Sequence, residues 1–538
     1  MSRHQGSSDR RDSKKGGTVR RALRAAAPLV MVVLLVGLAD GNSFAASGSR
    51  VLTTAITGDL SPLDPDTYYE AQGLPITQGT YQTLLTYAPN SRQIKPLLAT
   101  GWRVSSDGLT YTFNLRRGVR FSDGTPFNAA AAKSSFARRT ALKGGPSYMT
   151  ADIKSYSTPG SYRLVIHMKR PVAPFLDYLA SPYGPMMSSP TAEKSHEVNG
   201  DQGSHWLATH SAGTGPYVLT QVKRGFVYTM TANPYYWGKK PYYTTVNFAV
   251  VPNPQQAVLQ VDRGDLDMMF GSEATTRDLN ELAQKGHLKV VNFPALLKQE
   301  VWMNPASPVF GAPAMRAALR AGLNNATLTK AVWGKWATVS TNVYPNGMLP
   351  NGAAPDKPAY KPAKLKAALA PYKGKSVVIG WYNASSTNKT LADLIQVQLQ
   401  ADGVNASLRE YSPAVLFSLP TTPAQRPDIL VTVFNPDAVA PDTFARIYWY
   451  KNAPVNLLGC TSPAGDAALD KALTKPNSAA AQSLAVKAAL AYRDSNCWLN
   501  IADIPDPLVI DKDIIGFRHE LPWVLSTDFA TMHPRGSG

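Results

Sequence analysis

Four short stretches of this chain carry residue types at spacings that chemistry can use. Ser386-Thr387-Asn388-Lys389 has the Ser-x-x-Lys spacing that sets an amine one helical turn from a serine hydroxyl, as in penicillin-binding acyl-transfer enzymes. The companion Lys-Thr-Gly element is absent, because Lys389-Thr390 runs on into Leu391. Gly374-Lys375-Ser376 matches the end of a phosphate-binding loop, but the position of the required earlier glycine holds Leu369. His196-Glu197 opens a zinc-protease pattern whose second histidine position is Gly200, a helix breaker. His196, His205 and His210 share one polar loop, which reads as solvated because it offers no cysteine or paired carboxylate to complete a metal site. No catalytic residue, metal or cofactor is assigned on this basis; a secreted serine hydrolase using Ser386 and Lys389 is the alternative of a different class.

Residues 96–139 are the most informative elements. Tyr111, Phe113 and Leu115 alternate with Thr112, Asn114 and Arg116, the period of a half-buried strand. Asp107-Gly108 supplies a turn before it and Asp123-Gly124 a turn after it, and Asn128 caps an Ala-rich helix running towards Arg138. The wording from Pro96-Leu97-Leu98-Ala99 to Asp123-Gly124-Thr125-Pro126-Phe127 resembles the family 5 extracellular solute-binding proteins of peptide, oligopeptide and nickel ABC importers. Further blocks resemble the same family in the same order: Gly213-Thr214-Gly215-Pro216-Tyr217, Asn233-Pro234-Tyr235-Tyr236-Trp237, Gly264-Asp265-Leu266-Asp267, Asn304-Pro305 with a helix from Pro313, and Asn456-Leu457-Leu458-Gly459. Leu391, Leu394, Ile395 and Leu399 form a helical stripe that Gly403 stops before a strand at Val404–Leu408, an α/β unit.

Residues 1–45 read as a targeting peptide: a basic region, an apolar stretch at 28–38 and small residues before a cut after Ala45. Arg20-Arg21 fits a twin-arginine signal loosely, and no lipid-accepting cysteine follows at Gly37-Leu38-Ala39-Asp40. An exported protein, extracellular or held at the cell surface, is expected. The formal charge of +18 falls to +13 without that segment, which carries eight basic against three acidic side chains. Such a balance suits acidic ligands or an anionic cell wall, whereas no basic cluster interleaved with aromatics points to nucleic acid. Cys460 and Cys497 are the only cysteines, and in an exported chain an even pair reads as a disulfide.

The resemblance implies a two-lobed α/β periplasmic-binding-protein fold of type II with an inserted third subdomain and a cleft between the lobes. On that pattern residues 46–84 begin lobe I, 85–210 form the insert, 211–300 return to lobe I, 301–505 make lobe II, and 506–538, with Phe517, Trp523 and Phe529, close back on lobe I. It implies a monomer that passes a peptide or other small solute to a membrane permease. Relatives that bind peptides meet the amino terminus with an aspartate of lobe II shortly before a phenylalanine. Pro441 and Phe444 set the register that puts Asp437 in that place, although Ala438 and Ala440 replace the motif's aromatic and second acid. No arginine lies in 381–390 for a ligand carboxylate, and Lys389 would serve only as a point charge, so a longer peptide or a non-peptide solute (an oligosaccharide or a metal chelate) fits better than a strict dipeptide. Phe434, Trp381, Trp302 and Asn304 are the other ligand-facing candidates, and Tyr68, Tyr69 and Trp449 are further aromatics for a cleft wall.

Overall fold

The computed structural model describes residues 50–350, 352–383, 385–475, 479–519 and 525–537. The targeting segment expected at 1–45 and Trp523 lie outside the described residues.

The hairpin forms as its alternation predicts. Ala99–Val104 pairs antiparallel with Thr110–Leu115, which buries Tyr111, Phe113 and Leu115 and leaves Asn114 exposed. Asp107 accepts from the Leu109 N–H at 2.9 Å, and Gly108 takes the positive φ of 69° that this turn requires. Asp123 does the same for the Thr125 N–H at 2.9 Å. Asn128 accepts from the Ala131 N–H at 3.0 Å and starts the helix Ala129–Leu142, which runs a turn past Arg138. Arg163–Met168 and Ile153–Ser157 complete this four-stranded sheet.

A second four-stranded sheet places Val51–Ile56 parallel to Thr245–Val250, followed by Val227–Ala232 and Tyr217–Lys223. Its core holds Leu52, Tyr228, Val246 and Phe248, against which Phe529 and the half-buried Phe517 of the tail pack. The largest sheet runs Met268–Phe270, Trp498–Asp511, Leu288–Met303, Ile429–Phe434, Ser376–Tyr382, Asn405–Tyr411. The last three strands are parallel, and the helix Ser386–Ala401 connects Ser376–Tyr382 to Asn405–Tyr411. That is the expected α/β unit, and Gly403, at φ 103°, makes the turn into its last strand.

Leu288–Met303 and Trp498–Asp511 are the two longest strands, and they pair antiparallel along most of their length. One end of this ribbon packs with the core of the second four-stranded sheet through Leu508 and Ile510. The other end lies inside the α/β region through Val301, Met303, Leu499 and Ile501. Register shifts fall between Phe293 and Leu297 and between Gln299 and Glu300, where an extra residue bends a strand and raises its twist. Cys460 and Cys497 are joined, with Cα atoms 6.3 Å apart, tying the loop before the helix Pro463–Leu473 to the start of the second crossing strand.

Candidate ligand-binding site

Strand alternation decides which side chains share a face. On Ile429–Phe434, Ile429 and Val431 pack among the helices of the α/β unit, while Leu430 and Phe434 turn to the opposite face. Trp302 lies on that same face, with its ring centroid 5.6 Å from that of Phe434. Tyr448, from the helix Pro441–Tyr448, stacks on Phe434 at 4.4 Å, and Tyr382 stacks on it at 6.4 Å. These rings form an apolar wall.

Asp437 lies just beyond the Ile429–Phe434 strand, 5% exposed. Three segments far apart in sequence converge on it. Tyr148 donates its hydroxyl to Asp437 Oδ2 at 2.6 Å, and Tyr69 donates to the same oxygen. Ser181 Oγ donates to the Asp437 backbone carbonyl at 2.5 Å. Tyr183 packs edge-on against Tyr69 at 5.1 Å and Tyr178 against Tyr148 at 5.6 Å, so the donors stand in a cluster of rings. Burial pushes the Asp437 carboxyl up to about 6, with the hydrogen bonds from Tyr148 and Tyr69 pulling the other way. Among the described residues no cationic side chain pairs with it.

The scaffold under this cluster is ionic. Arg138 grips Asp64 with two bonds, Nη1 to Oδ1 at 2.8 Å and Nη2 to Oδ2 at 2.7 Å, and also reaches Asp66 at 2.6 Å. Arg139, fully buried, donates to Asp66 at 3.0 Å, to the Pro65 carbonyl at 2.7 Å and to the Tyr183 carbonyl at 2.5 Å. One guanidinium therefore fixes both the loop leading to Tyr69 and the residue that packs against Tyr69.

The other sequence candidates fall as follows. Phe434 and Trp302 lie in the aromatic wall, but the Trp302 indole N–H is engaged by Glu300 at 2.8 Å. Trp381 packs half-buried on the α/β core, and its neighbour Tyr382 is the residue that meets Phe434. Asn304 holds the chain on both sides: Nδ2 donates to the Pro427 carbonyl at 3.0 Å and Oδ1 accepts from the Ala306 N–H at 2.9 Å. Tyr68 turns away from its neighbour Tyr69 and accepts from the Gly73 N–H at 2.6 Å. Trp449 is 1% exposed and packs on Tyr344, Phe444 and Trp498. Lys389 reaches forward to Asp393 at 2.9 Å on the surface rather than back to Ser386. His196 and His210 each stack flat on Trp206, at 4.1 and 4.6 Å.

Tyr148, Ser181 and Tyr183 carried no sequence signal as site residues. The legible trace of their scaffold was the coincidence of Asp64-Pro65-Asp66 with Arg138-Arg139, a pair of acids one residue apart and a pair of adjacent arginines.

With this geometry in view, the comparisons are informative. The sequence model of the bacterial extracellular solute-binding proteins, family 5, matches residues 93–455. The di/tripeptide-binding protein 2 of Pseudomonas aeruginosa is 27% identical over 527 residues, spanning 88% of this chain and 94% of its own. The nickel-binding periplasmic protein of Escherichia coli is 28% identical over 391 residues, 68% of this chain and 71% of its own. Among solved structures, a Helicobacter pylori periplasmic binding protein in complex with the peptide STSA aligns with TM-score 0.78 at 22% identity, covering 90% of this chain and 98% of that one. A binding protein from Brucella suis in complex with Fe(III)-EDTA aligns equally well at 20% identity, covering 90% of this chain and 100% of that one. The fold is thus the two-lobed α/β architecture expected from the motif order.

Proposed function

We propose, on the premise that this chain belongs to family 5 of the bacterial extracellular solute-binding proteins, that it captures a peptide-like solute between its lobes and delivers it to the permease of an ABC importer. One observation carries the reading. A carboxylate out of water is costly unless it is paired, and among the described residues the Asp437 carboxylate receives hydroxyl donors and no cation. The missing partner is a cation, and the amino terminus of a peptide supplies one in a form that can also donate hydrogen bonds. The aromatic wall of Phe434, Tyr382 and Tyr448 suits the apolar body of such a ligand. The same surface would stack a sugar, but a sugar leaves the Asp437 charge unanswered.

The division into lobes I and II, with the insert at 85–210, belongs to this proposal, and the two crossing strands are its hinge. Export after removal of 1–45 accords with the joined Cys460 and Cys497.

Calorimetry on four combinations tests the site: wild type and Asp437→Asn, each with a peptide and its N-acetylated form. Removing one partner of a desolvated charged pair costs about 2–5 kcal/mol. Affinity of the variant for the free peptide is expected to fall roughly thirtyfold or more. Acetylation should cost the wild type as much and the variant little more. Equal affinity of both proteins for the free peptide would sink the reading.

A further inference from the structure

The loop that presents Asp437 also lines a cavity of about 760 Å³, through Val439, Ala440, Pro441 and Asp442. Its opposite walls come from the insert, at Ala173, Pro174 and Asp177, and from the helices Pro463–Leu473 and Ala479–Asp494. About half of the lining surface is apolar, with Met348, Leu349, Leu469 and Leu473 supplying its larger side chains.

Two carboxylates face this space, and they differ in what holds them. Asp442 is already neutralised, since Arg446 Nε reaches both of its oxygens at 2.8 Å. Asp177 accepts from the Tyr87 hydroxyl at 2.7 Å and forms no ion pair among the described residues. Burial holds its carboxyl up at about 6, and Arg92, the nearest cation acting on it, is a solvated side chain at the cavity wall. Asp177 thus resembles Asp437: a carboxylate fixed by tyrosine hydroxyl and held in no ion pair among the described residues, although Arg92 acts on it from the cavity wall. Far apart along the chain, the two are linked in the fold, because Ser181, four residues after Asp177, is the group bonded to the Asp437 carbonyl.

We infer that this cavity receives a second cationic group of the same ligand, the side-chain ammonium or guanidinium of a basic residue, with Asp177 as its counter-ion. The apolar lining then covers the methylene stem, the usual division of a long basic side chain. The inference rests on the peptide reading above and names its preferred class: basic peptides longer than two residues.

The test uses tetra-alanine, tetra-alanine with lysine at the second, third or fourth position, the same three peptides with norleucine in place of lysine, and N-acetyl tetra-alanine. Each is titrated into wild type, Asp177→Asn and Gln482→Trp, the last adding bulk at an exposed position of the cavity wall. At one position or more, lysine is expected to bind the wild type about tenfold or more tighter than norleucine, the size of one partly desolvated charge pair. Asp177→Asn should erase that gap and leave tetra-alanine affinity unchanged, and Gln482→Trp should shrink it. Should Asp177→Asn not fold, as its unfolding temperature would reveal, Gln482→Trp decides. Equal binding of lysine and norleucine peptides at every position, or a gap that survives both variants, overturns the inference. Acetylation-sensitive binding without lysine preference overturns the cavity assignment alone, whereas absence of binding by every peptide overturns the peptide reading with it.

Discussion

As the proposed counter-ion of a ligand ammonium, Asp437 would turn proton concentration into affinity. Its carboxyl in the fold sits near 6, above the ordinary value of 3.8, so the folded chain holds a proton that the unfolded chain has released. The stability this contributes is present below about pH 4 and is lost as pH rises through about 6. A ligand ammonium favours the ionised form and pulls the same pKa down. Affinity for a free-amine peptide should therefore climb from pH 5 to pH 7 and then level, with proton release measurable by calorimetry in two buffers near pH 5.5. Other buried acids titrate nearby, Asp177 at about 6, Asp506 at about 7 and Glu300 at about 8, so Asp437→Asn is the control. A pH profile unchanged by that substitution would refute the assignment. Legibility at this scale was uneven. Asp437 was singled out as a candidate because Pro441 and Phe444 fix a register, whereas its donors come from 368 and 289 residues away, a distance over which one sequence has no voice. Trp381 was named because its segment faces ligand in relatives, and a segment does not tell which of its alternating side chains meets Phe434; here that is Tyr382.

The helix Ala129–Leu142 shows how an element acts at a distance. Its capping and its alanines were plain in the sequence, but two arginines near its C-terminal end give it its role, by holding the 64–66 loop under the tyrosine cluster. Arg139→Ala should cost about 1–3 kcal/mol in urea unfolding, since it removes one of the two guanidinium partners of buried Asp66 and the donor to the Pro65 and Tyr183 carbonyls. It should also weaken peptide binding, because Arg139 holds both the 64–66 loop and the Tyr183 carbonyl behind the tyrosine cluster. Replacing the exposed Lys133 on the same helix should do neither. Strands and helices with strong periodicity or a clear stop, such as Thr110–Leu115, Pro254–Arg263 and Pro313–Gly322, were predictable because local sequence determines them. Tertiary ion pairing is invisible locally: charged pairs spaced 74 residues apart look like surface until the chain is folded.

At the scale of the whole molecule, ligand should shift the population towards the closed arrangement and stabilise it, by about 2.7 kcal/mol at a hundredfold excess over Kd. Small-angle scattering should show a smaller radius of gyration with peptide than without, and a thermal scan a higher midpoint. A peptide that binds by calorimetry yet leaves the scattering unchanged would argue against cleft closure. The order of family blocks made this architecture readable, while the path of the ribbon between its two ends was not, because Asn292, Pro294 and Lys298 to Glu300 in one strand, and Asn500, Asp503 and Pro505 to Pro507 in the other, break up the pattern of each. That ribbon has one more consequence. Leu288–Met303 and Trp498–Asp511 are cross-bonded along most of their length, so the joint can bend and twist but cannot lengthen. Lobes that close on such a joint, as proposed above, would travel through an angle and not slide apart in parallel. A solute somewhat too large would then be held with the jaws ajar, at an angle set by its size.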